Sequence, residues 1–467
     1  MTTITNEVAG TTSVPERYRL GPTFVPKGRY LDREFLEREL RSVFPRVWQV
    51  ACRAEQLHDV GDYVNYTIGD QSIVVVRTRE GIRAFFNACR HRGTRLCTGS
   101  GRLGDFRCPF HGWRWNLDGS IKLVVDADEF DPRTEDDLGL VPVRCDTWGG
   151  WVYVNLDPDA EPLLDWLHPL PERLAPYHLD HMRATWWKQT IMPCNWKTAL
   201  DAFNEVYHVP GTHPQLLRPG QLTNVRVASS EELRQLTIKY PSECFENHAK
   251  FRTEMRSAPG IATASRSTQV NGNDVEALIT ALEFSYLQDL KSLRCDLDLR
   301  AAHRLREVPV PDGVPLGEHY AAVRRAMAHE EGFEWPDLTP QQMRDAETDW
   351  HVFPNQVFLV TQGSVLGYRA RPNGLDPDSC IFEAYALEQQ PVSKLEDRHE
   401  ITFTTVDDWR DHDGWGQILP QDFRNMGEVT AGMHSISFEG HHLSRETEMT
   451  VHHAHVVADR YLWAEDW

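Results

Sequence analysis

The chain has 467 residues, 40% of them hydrophobic and 25% charged, with a formal net charge of −20. That length exceeds one ordinary core and predicts two domains, while the acidic surplus excludes nucleic acid and anionic membrane as partners, since either calls for a basic face. No run of 18 apolar residues occurs, no basic stretch followed by an apolar one opens the sequence, and the nine cysteines are an odd number, so the expectation is a protein without a membrane span or export signal, with reduced thiols in a cytoplasm.

After a loose start, Leu31 to Phe44 reads as a helix with Phe35, Leu36, Leu40, Val43 and Phe44 towards one side, ended by Pro45. From Gly61 the period changes to two. Tyr63 to Ile68, Ser72 to Thr78 and Ile82 to Ala88 are predicted as short antiparallel strands, turning at Gly69-Asp70 and Glu80-Gly81.

Two short metal-binding patterns follow. Cys89-Arg90-His91-Arg92-Gly93 is Cys-x-His, and Cys108-Pro109-Phe110-His111-Gly112-Trp113 is Cys-x-x-His. Two thiolates and two imidazoles on two loops suit a tetrahedral zinc, and equally a [2Fe-2S] cluster with two histidines on one iron. Gly93, Pro109 and Gly112 permit tight loops that turn backbone N–H groups towards sulfur. The stretch closely resembles the Rieske iron–sulfur motif. That resemblance implies Cys89 and Cys108 on one iron and His91 and His111 on the other, with Cys97 left over as a small buried hydrophobe. Gly99 to Gly104 spells a dinucleotide fingerprint, but it follows no βαβ strand and opens no helix, so it reads as a flexible connector. No other stretch offers a nicotinamide or flavin site, and electrons must then come from another protein.

Strands are predicted again at Ser120 to Val125 and Gly149 to Leu156. The acidic, Pro-rich run Asp157 to Pro162 marks a domain boundary. Asp165 to Leu174, broken by Pro169 and Pro171, can hold only short helical turns, and Ala184 to Met192 alternates in part as a strand.

Asn195-Trp196-Lys197 then leads to Asp201, Glu205, His208 and His213. Glu205 and His208, three apart, would share one helix face, and Pro210-Gly211 would stop that helix so that His213 folds back beside His208. Two imidazoles and one carboxylate from elsewhere make the face that suits non-haem Fe(II) with open positions. This segment resembles the catalytic iron segment of Rieske non-haem iron oxygenases, specifically their large α subunits. The resemblance implies a third ligand on a helix near the C-terminus, and Asp422, in Gln421 to Ser435, takes its place, with Asp411 and Asp413 as bland competitors. Glu205 departs from the aspartate common among ring hydroxylators and is the residue often found in members acting on quaternary ammonium compounds. Its implied role is to link His208 to a cluster histidine of the adjacent subunit.

Further on, Val225 to Tyr240 partly alternates as a strand, and Arg256 to Asp274 reads as a mobile loop. Asp274 can cap a helix carrying Val275, Leu278, Ile279, Leu282 and Tyr286 on one stripe. The insertion 256–345 could roof a pocket or form a subunit contact. His351 to Val360, Val365 to Arg371 and Cys380 to Leu387 are predicted strands. His441, His442, His452, His453 and His455 form a terminal group expected to be solvated or at an interface rather than a metal site.

The resemblance implies an α+β chain: an all-β Rieske domain at 45–160 and a helix-grip catalytic domain with a curved antiparallel sheet at 161–467, with a helical segment, 1–44, packed on the latter. It further implies a terminal oxygenase with a [2Fe-2S] cluster and mononuclear Fe(II), fed by an NAD(P)H-dependent reductase, with or without a ferredoxin, and assembled as a head-to-tail trimer, with or without a β subunit. Hydroxylation of a hydrophobic, aromatic small molecule is the first expectation, and demethylation or hydroxylation of an amine or methyl group the second. An electron carrier with a non-catalytic ligand-binding domain is the reading from another class.

Overall fold

The computed structural model describes residues 14–130, 135–213, 242–251, 274–288, 294–346, 348–411 and 413–464. The strand expected at 225–240, the loop at 256–273 and the loose start, residues 1–13, therefore lie outside the described residues.

Alternating β-branched and aromatic residues build an antiparallel sheet of seven strands in the first half. Its order is Gln49–Arg53, Trp151–Asn155, Pro142–Trp148, Ile82–Phe86, Gln71–Arg77, Asp62–Ile68 and Ser100–Arg102. Two expectations are corrected here. Ser100–Arg102 is not a free connector but the edge strand, with Gly101 opposite Tyr63. A side chain at Gly101 would meet the Tyr63 ring at 3.3 Å, so the small residues that suggest flexibility are what let this edge pair. The strand expected to begin at Gly149 begins at Trp151. Gly149 and Gly150, with φ of 58° and 78°, form a two-residue turn back from Pro142–Trp148.

A small sheet of Phe106–Arg107, Arg114–Trp115 and Ile121–Leu123 carries the second cysteine loop. Cys89, Cys97, Cys108, Trp113 and Trp115 pack with Val74, Val76, Phe85 and Phe106 in one core. Cys97 is buried, as its default reading has it, and burial pushes its thiol up to about 11.

The second half is an eight-stranded sheet ordered Ser242–Cys244, Ala249–Phe251, Thr348–Val352, Gln356–Thr361, Ser364–Asn373, Asp376–Gln389, Met182–Met192 and Phe403–Val406. All neighbours are antiparallel except the last, which runs parallel to Met182–Met192. The single strand expected over His351 to Val360 is a hairpin instead, because Pro354, lacking an N–H, sits where the ladder would continue. Period-two alternation gives this sheet two faces. Leu366, Tyr368, Phe382 and Ala384 turn to Trp196, Phe203, Phe423 and Met426; Val365, Tyr385 and Leu387 turn to Trp151, Trp166 and Trp350. Helices Trp196–Asp201 and Leu419–Met433 cover the first face, which gives the α+β architecture expected from the sequence.

The N-terminal helix is interrupted at Asp32 into Gly28–Leu31 and Arg33–Ser42. Its partner, not evident from its sequence, is the last helix, Met449–Leu462. Arg29 donates twice to Asp459 at 2.8 Å, and Phe24–Pro26 pairs with Gly440–His442. Within the insertion Asp274 Oδ1 caps the helix Val275–Gln288 by accepting from Ala277 N at 3.0 Å. With Asp296–Arg304 and Leu316–Glu330 that helix buries Leu278, Ile279, Leu282, Ala302, Leu305 and Tyr320. This group docks on the end of the sheet. Trp335 lies over Gly363, where any β-carbon would stand 2.7 Å from the ring, and Arg324 donates to Gln362 at 2.6 Å.

Of the terminal histidines His442 is exposed, as expected, while two others are not solvated. His452 and His455 are buried and hydrogen-bonded, His452 to Gly21 O at 2.7 Å, and His455 lies 2.9 Å from the Tyr30 hydroxyl. They fill the joint between the two chain ends, a role that a helical spacing of polar residues conceals.

Candidate functional site

Each cysteine loop is closed by its own backbone. Gly93 N donates to Cys89 O at 2.9 Å and Gly112 N to Cys108 O at 3.1 Å, both glycines having φ near +78°. Only glycine turns there without strain. The loops sit side by side with Cys89 and Cys108 buried. Although burial opposes it, backbone N–H groups of His111 and Phe110 hold the Cys108 thiol below its ordinary range. The imidazoles of His91 and His111 face each other at 4.7 Å, His91 lies parallel to Trp113, and the buried Nδ1 of His91 has no hydrogen-bond partner.

The spacing of the four side chains bears on which metal the donor types would suit. A single tetrahedral zinc needs ligand atoms within about 4 Å of one another. Among the described residues none of these four joins a group of three or more ligand atoms within 4.8 Å. Cys89 interacts with Cys108, and the His91 and His111 rings lie 4.7 Å apart, a pairing that would suit two irons, one per pair.

The second site is assembled from two elements distant in sequence. Asn195 caps the helix Trp196–Asp201 by accepting from Lys197 N, and that helix stops at Asp201. Glu205 and His208 therefore do not share a helix, which corrects the expectation. Pro210 stops nothing. It lies in the first turn of a new short helix, Val209–Thr212, where a missing N–H costs nothing. The turn still brings the pair together: His208 Nδ1 donates to Glu205 Oε1 at 2.6 Å, while Glu205 Oε2 accepts from the backbone of Tyr207 and His208.

Asp422 projects from the helix Leu419–Met433 between buried Leu419 and Phe423. Its Oδ1 lies 2.8 Å from His213 Nε2 and 3.6 Å from His208 Nε2, and the three ligand atoms fall within 4.8 Å of one another. The imidazole rings stand at 78° to each other. One residue went unassigned in the sequence. Gln421 Oε1 accepts from His213 Nδ1 at 2.6 Å, so the Nδ1 of each histidine is tied to an acceptor and both Nε2 atoms face Asp422. The signal was present, since Gln421 adjoins Asp422, but a glutamine beside a ligand has many bland explanations.

Electrostatics around the triad are one-sided. Against the lowering effect of burial, Glu205, Asp422 and Asp349 raise the pKa of His208. Glu448 lies close enough to feel Glu205. Asp201 accepts from the Tyr30 hydroxyl at 2.7 Å, and burial pushes its carboxyl up to about 7.

Comparison with known proteins follows the same division. Residues 47–132 match the Rieske [2Fe-2S] domain, and residues 171–464 match the ring hydroxylating alpha subunit (catalytic domain). Over 205 residues, 43% of the chain, it is 34% identical to the glycine betaine monooxygenase oxygenase subunit of Chromohalobacter salexigens, covering 45% of that protein. It is 32% identical over 208 residues, again 43% of the chain, to the carnitine monooxygenase oxygenase subunit of Escherichia coli K12, covering 56% of it. The chain thus spans about half the length of the curated relatives it matches. A crystal structure of a quaternary ammonium Rieske monooxygenase superposes with a TM-score of 0.62 at 19% identity, covering 97% of this chain and all of that one. Naphthalene 1,2-dioxygenase with indole bound superposes with 0.65 at 17% identity, covering 97% and 95%.

Proposed function

The chain belongs to the ring hydroxylating alpha subunit family and carries a Rieske [2Fe-2S] domain, and from that premise we propose that it is the terminal oxygenase for a small quaternary ammonium compound. The observation that carries this reading is the triad assembled in a field of carboxylates, with Glu205, Asp349 and Glu448 around His208. A surplus of negative charge favours a cationic guest over a neutral one. The relatives named for glycine betaine and carnitine support the same order. The aromatic substrate put first by the sequence gives way to the amine reading put second. Naphthalene dioxygenase shares the fold, but at 17% identity it carries no substrate argument.

In this reading Cys89 and Cys108 would hold one iron of the cluster and His91 and His111 the other. His208, His213 and Asp422 would hold the mononuclear iron, and an electron carrier with a non-catalytic domain has no use for them. When bound, the cluster supplies single electrons and the mononuclear iron supplies the oxygen-dependent oxidation. Glu205 and Gln421 fix the proton on Nδ1 of His208 and His213 and so aim both Nε2 lone pairs at one point. Glu205 would also reach the cluster histidines of a neighbouring subunit. Hydroxylation consumes one O2, two electrons and two protons and releases one water. The electrons would come from NAD(P)H through a separate reductase, with or without a ferredoxin, because the glycine-rich stretch that spells a nucleotide site is a sheet edge here.

We further propose a homotrimer in the cytoplasm, the chain's 1–44, 45–160 and 161–467 segments acting as helical arm, electron-accepting domain and catalytic domain. None of the described helices is long and apolar enough to cross a membrane. The test of function is oxygen uptake by the reconstituted enzyme with a generic reductase, against glycine betaine, carnitine and choline on one side and naphthalene and indole on the other. Uptake matched by loss of a quaternary ammonium compound is expected. Matched consumption of only the uncharged aromatics would overturn the substrate class.

A further inference from the structure

Away from the triad a second set of ligand side chains converges, and it shares no residue with the oxygenase machinery. His178 precedes and His181 ends the 3-10 turn Leu179–His181, just before the strand Met182–Met192. His178 holds a left-handed backbone, φ 47° and ψ 53°, that few non-glycine residues adopt. In that conformation the two rings lie nearly parallel, 5.3 Å apart, with their Nδ1 atoms towards the carboxylate of Glu334.

We propose that His178, His181 and Glu334 bind one divalent transition-metal ion of the zinc class, clamping the helical insertion to the sheet. Glu334 Oε2 stands 3.9 Å from His178 Nδ1 and 3.5 Å from His181 Nδ1, and the three ligand atoms lie within 4.8 Å of one another. These separations are too long for hydrogen bonds. They are close to the roughly 3.3 Å edge of a tetrahedron whose corners lie about 2 Å from zinc. His181 Nδ1 is buried and makes no hydrogen bond. On the other side of the same ring Asp180 Oδ2 lies 3.7 Å from Nε2, so an ion on Nδ1 would leave the Nε2 proton facing a carboxylate. Two imidazoles with one carboxylate select zinc-class ions over magnesium or calcium, which prefer all-oxygen shells. Glu334, 54% exposed, leaves the fourth position open to water and gives the ion a way in.

The position explains what such an ion would do. Glu334 follows the last long helix of the insertion, and its carbonyl accepts from Gln389 Nε2 at 2.7 Å at the end of a central strand. Val392 N donates to Gly332 O, and Gln390 N to His181 O, each at 3.0 Å. Three chain segments meet there through these three hydrogen bonds, and an ion held by two of the segments would lock all three.

The test uses the full chain with both iron centres loaded, equilibrated with Zn2+ alone, desalted and analysed for metal. Wild type is expected to retain about one zinc per chain more than Glu334→Gln or His181→Gln, with iron unchanged in all three. Zinc should raise the wild-type melting temperature and leave that of Glu334→Gln unmoved. Glu334 is solvent-facing, so this variant keeps its fold, and its visible cluster spectrum provides the check. Equal zinc in wild type and variants, no zinc beyond the iron, or zinc gained at the expense of iron would each overturn the site.

Discussion

Removing the carboxylate of Glu39 tests how the helix Trp196–Asp201 is anchored. Lys197 Nζ donates to both Glu39 oxygens, at 2.7 and 2.9 Å, and Trp196 Nε1 donates to Oε2 at 3.2 Å. The two charged side chains are 2% and 8% exposed. Burial pushes the Glu39 carboxyl up and the Lys197 ammonium down even though each is drawn the other way by its partner. For both groups, then, desolvation outweighs attraction, and the intact pair is no net source of stability. Half a pair is worse. Glu39→Leu leaves a buried ammonium at a cost of roughly 3–5 kcal/mol, and an unpaired indole N–H adds about 1 kcal/mol. Glu39→Leu with Lys197→Met removes the stranded charge and is expected to fall within about 1–2 kcal/mol of wild type, the coupling being read from the cycle. Urea unfolding followed by circular dichroism at pH 7 measures all four proteins. A single variant costing under about 1 kcal/mol, or a double variant as unstable as the single, would refute the reasoning.

Other perturbations address the metal centres. His208→Ala is expected to empty the mononuclear site and abolish turnover while keeping the cluster's visible spectrum; bleaching of that spectrum would contradict two separate centres. Glu205→Gln should retain both metals and lose most activity in a coupled oxygen-uptake assay, and full activity would dismiss its bridging role. Gln421→Leu should weaken iron binding about 10- to 100-fold in chelator competition, since His213 loses the acceptor that fixes its tautomer, and unchanged affinity would show that the acceptor is dispensable. Asp201 gives a pH signature. Its folded pKa of about 7, raised by burial, lies above the unfolded value, so its contribution to stability is complete below about pH 4 and is lost as pH rises through 7. The urea midpoint should fall from pH 6 to 8, and Asp201→Asn should flatten that slope; an identical slope in the variant would assign it elsewhere.

The parts of the fold legible in the sequence were those where one local rule dominates. Strands such as Asp62–Ile68 and Gln71–Arg77 follow alternation and glycine turns, and the two Cys/His loops carry their spacing openly. Misreadings arose where a residue type has two uses. Pro210 can end a helix or begin one, and only the preceding turn decides. Gly99 to Gly104 looks unstructured until Tyr63 lies opposite. What brings Asp422 to His213 across 209 positions is packing of Phe423 and Met426 against Trp196 and Phe203, which no local pattern reveals. The buried terminal histidines escaped notice for a similar reason, because their partners, Gly21 and Tyr30, come from the opposite end.

That joining of distant ends bears on biosynthesis. Phe24–Pro26 needs Gly440–His442 as its strand partner, and Arg29 needs Asp459, 430 positions later. At about 5–20 residues per second, the N-terminal arm waits roughly 20–90 s on the ribosome before its partner exists. Meanwhile Arg29 and Tyr30, both destined for the interior, stay in water, and the closure of the catalytic half becomes a late event of high contact order. Release of a chain truncated before Gly440 would therefore yield a first half able to form its own sheet beside a second half lacking the strand and helix that close it, a species for quality control rather than a slower enzyme.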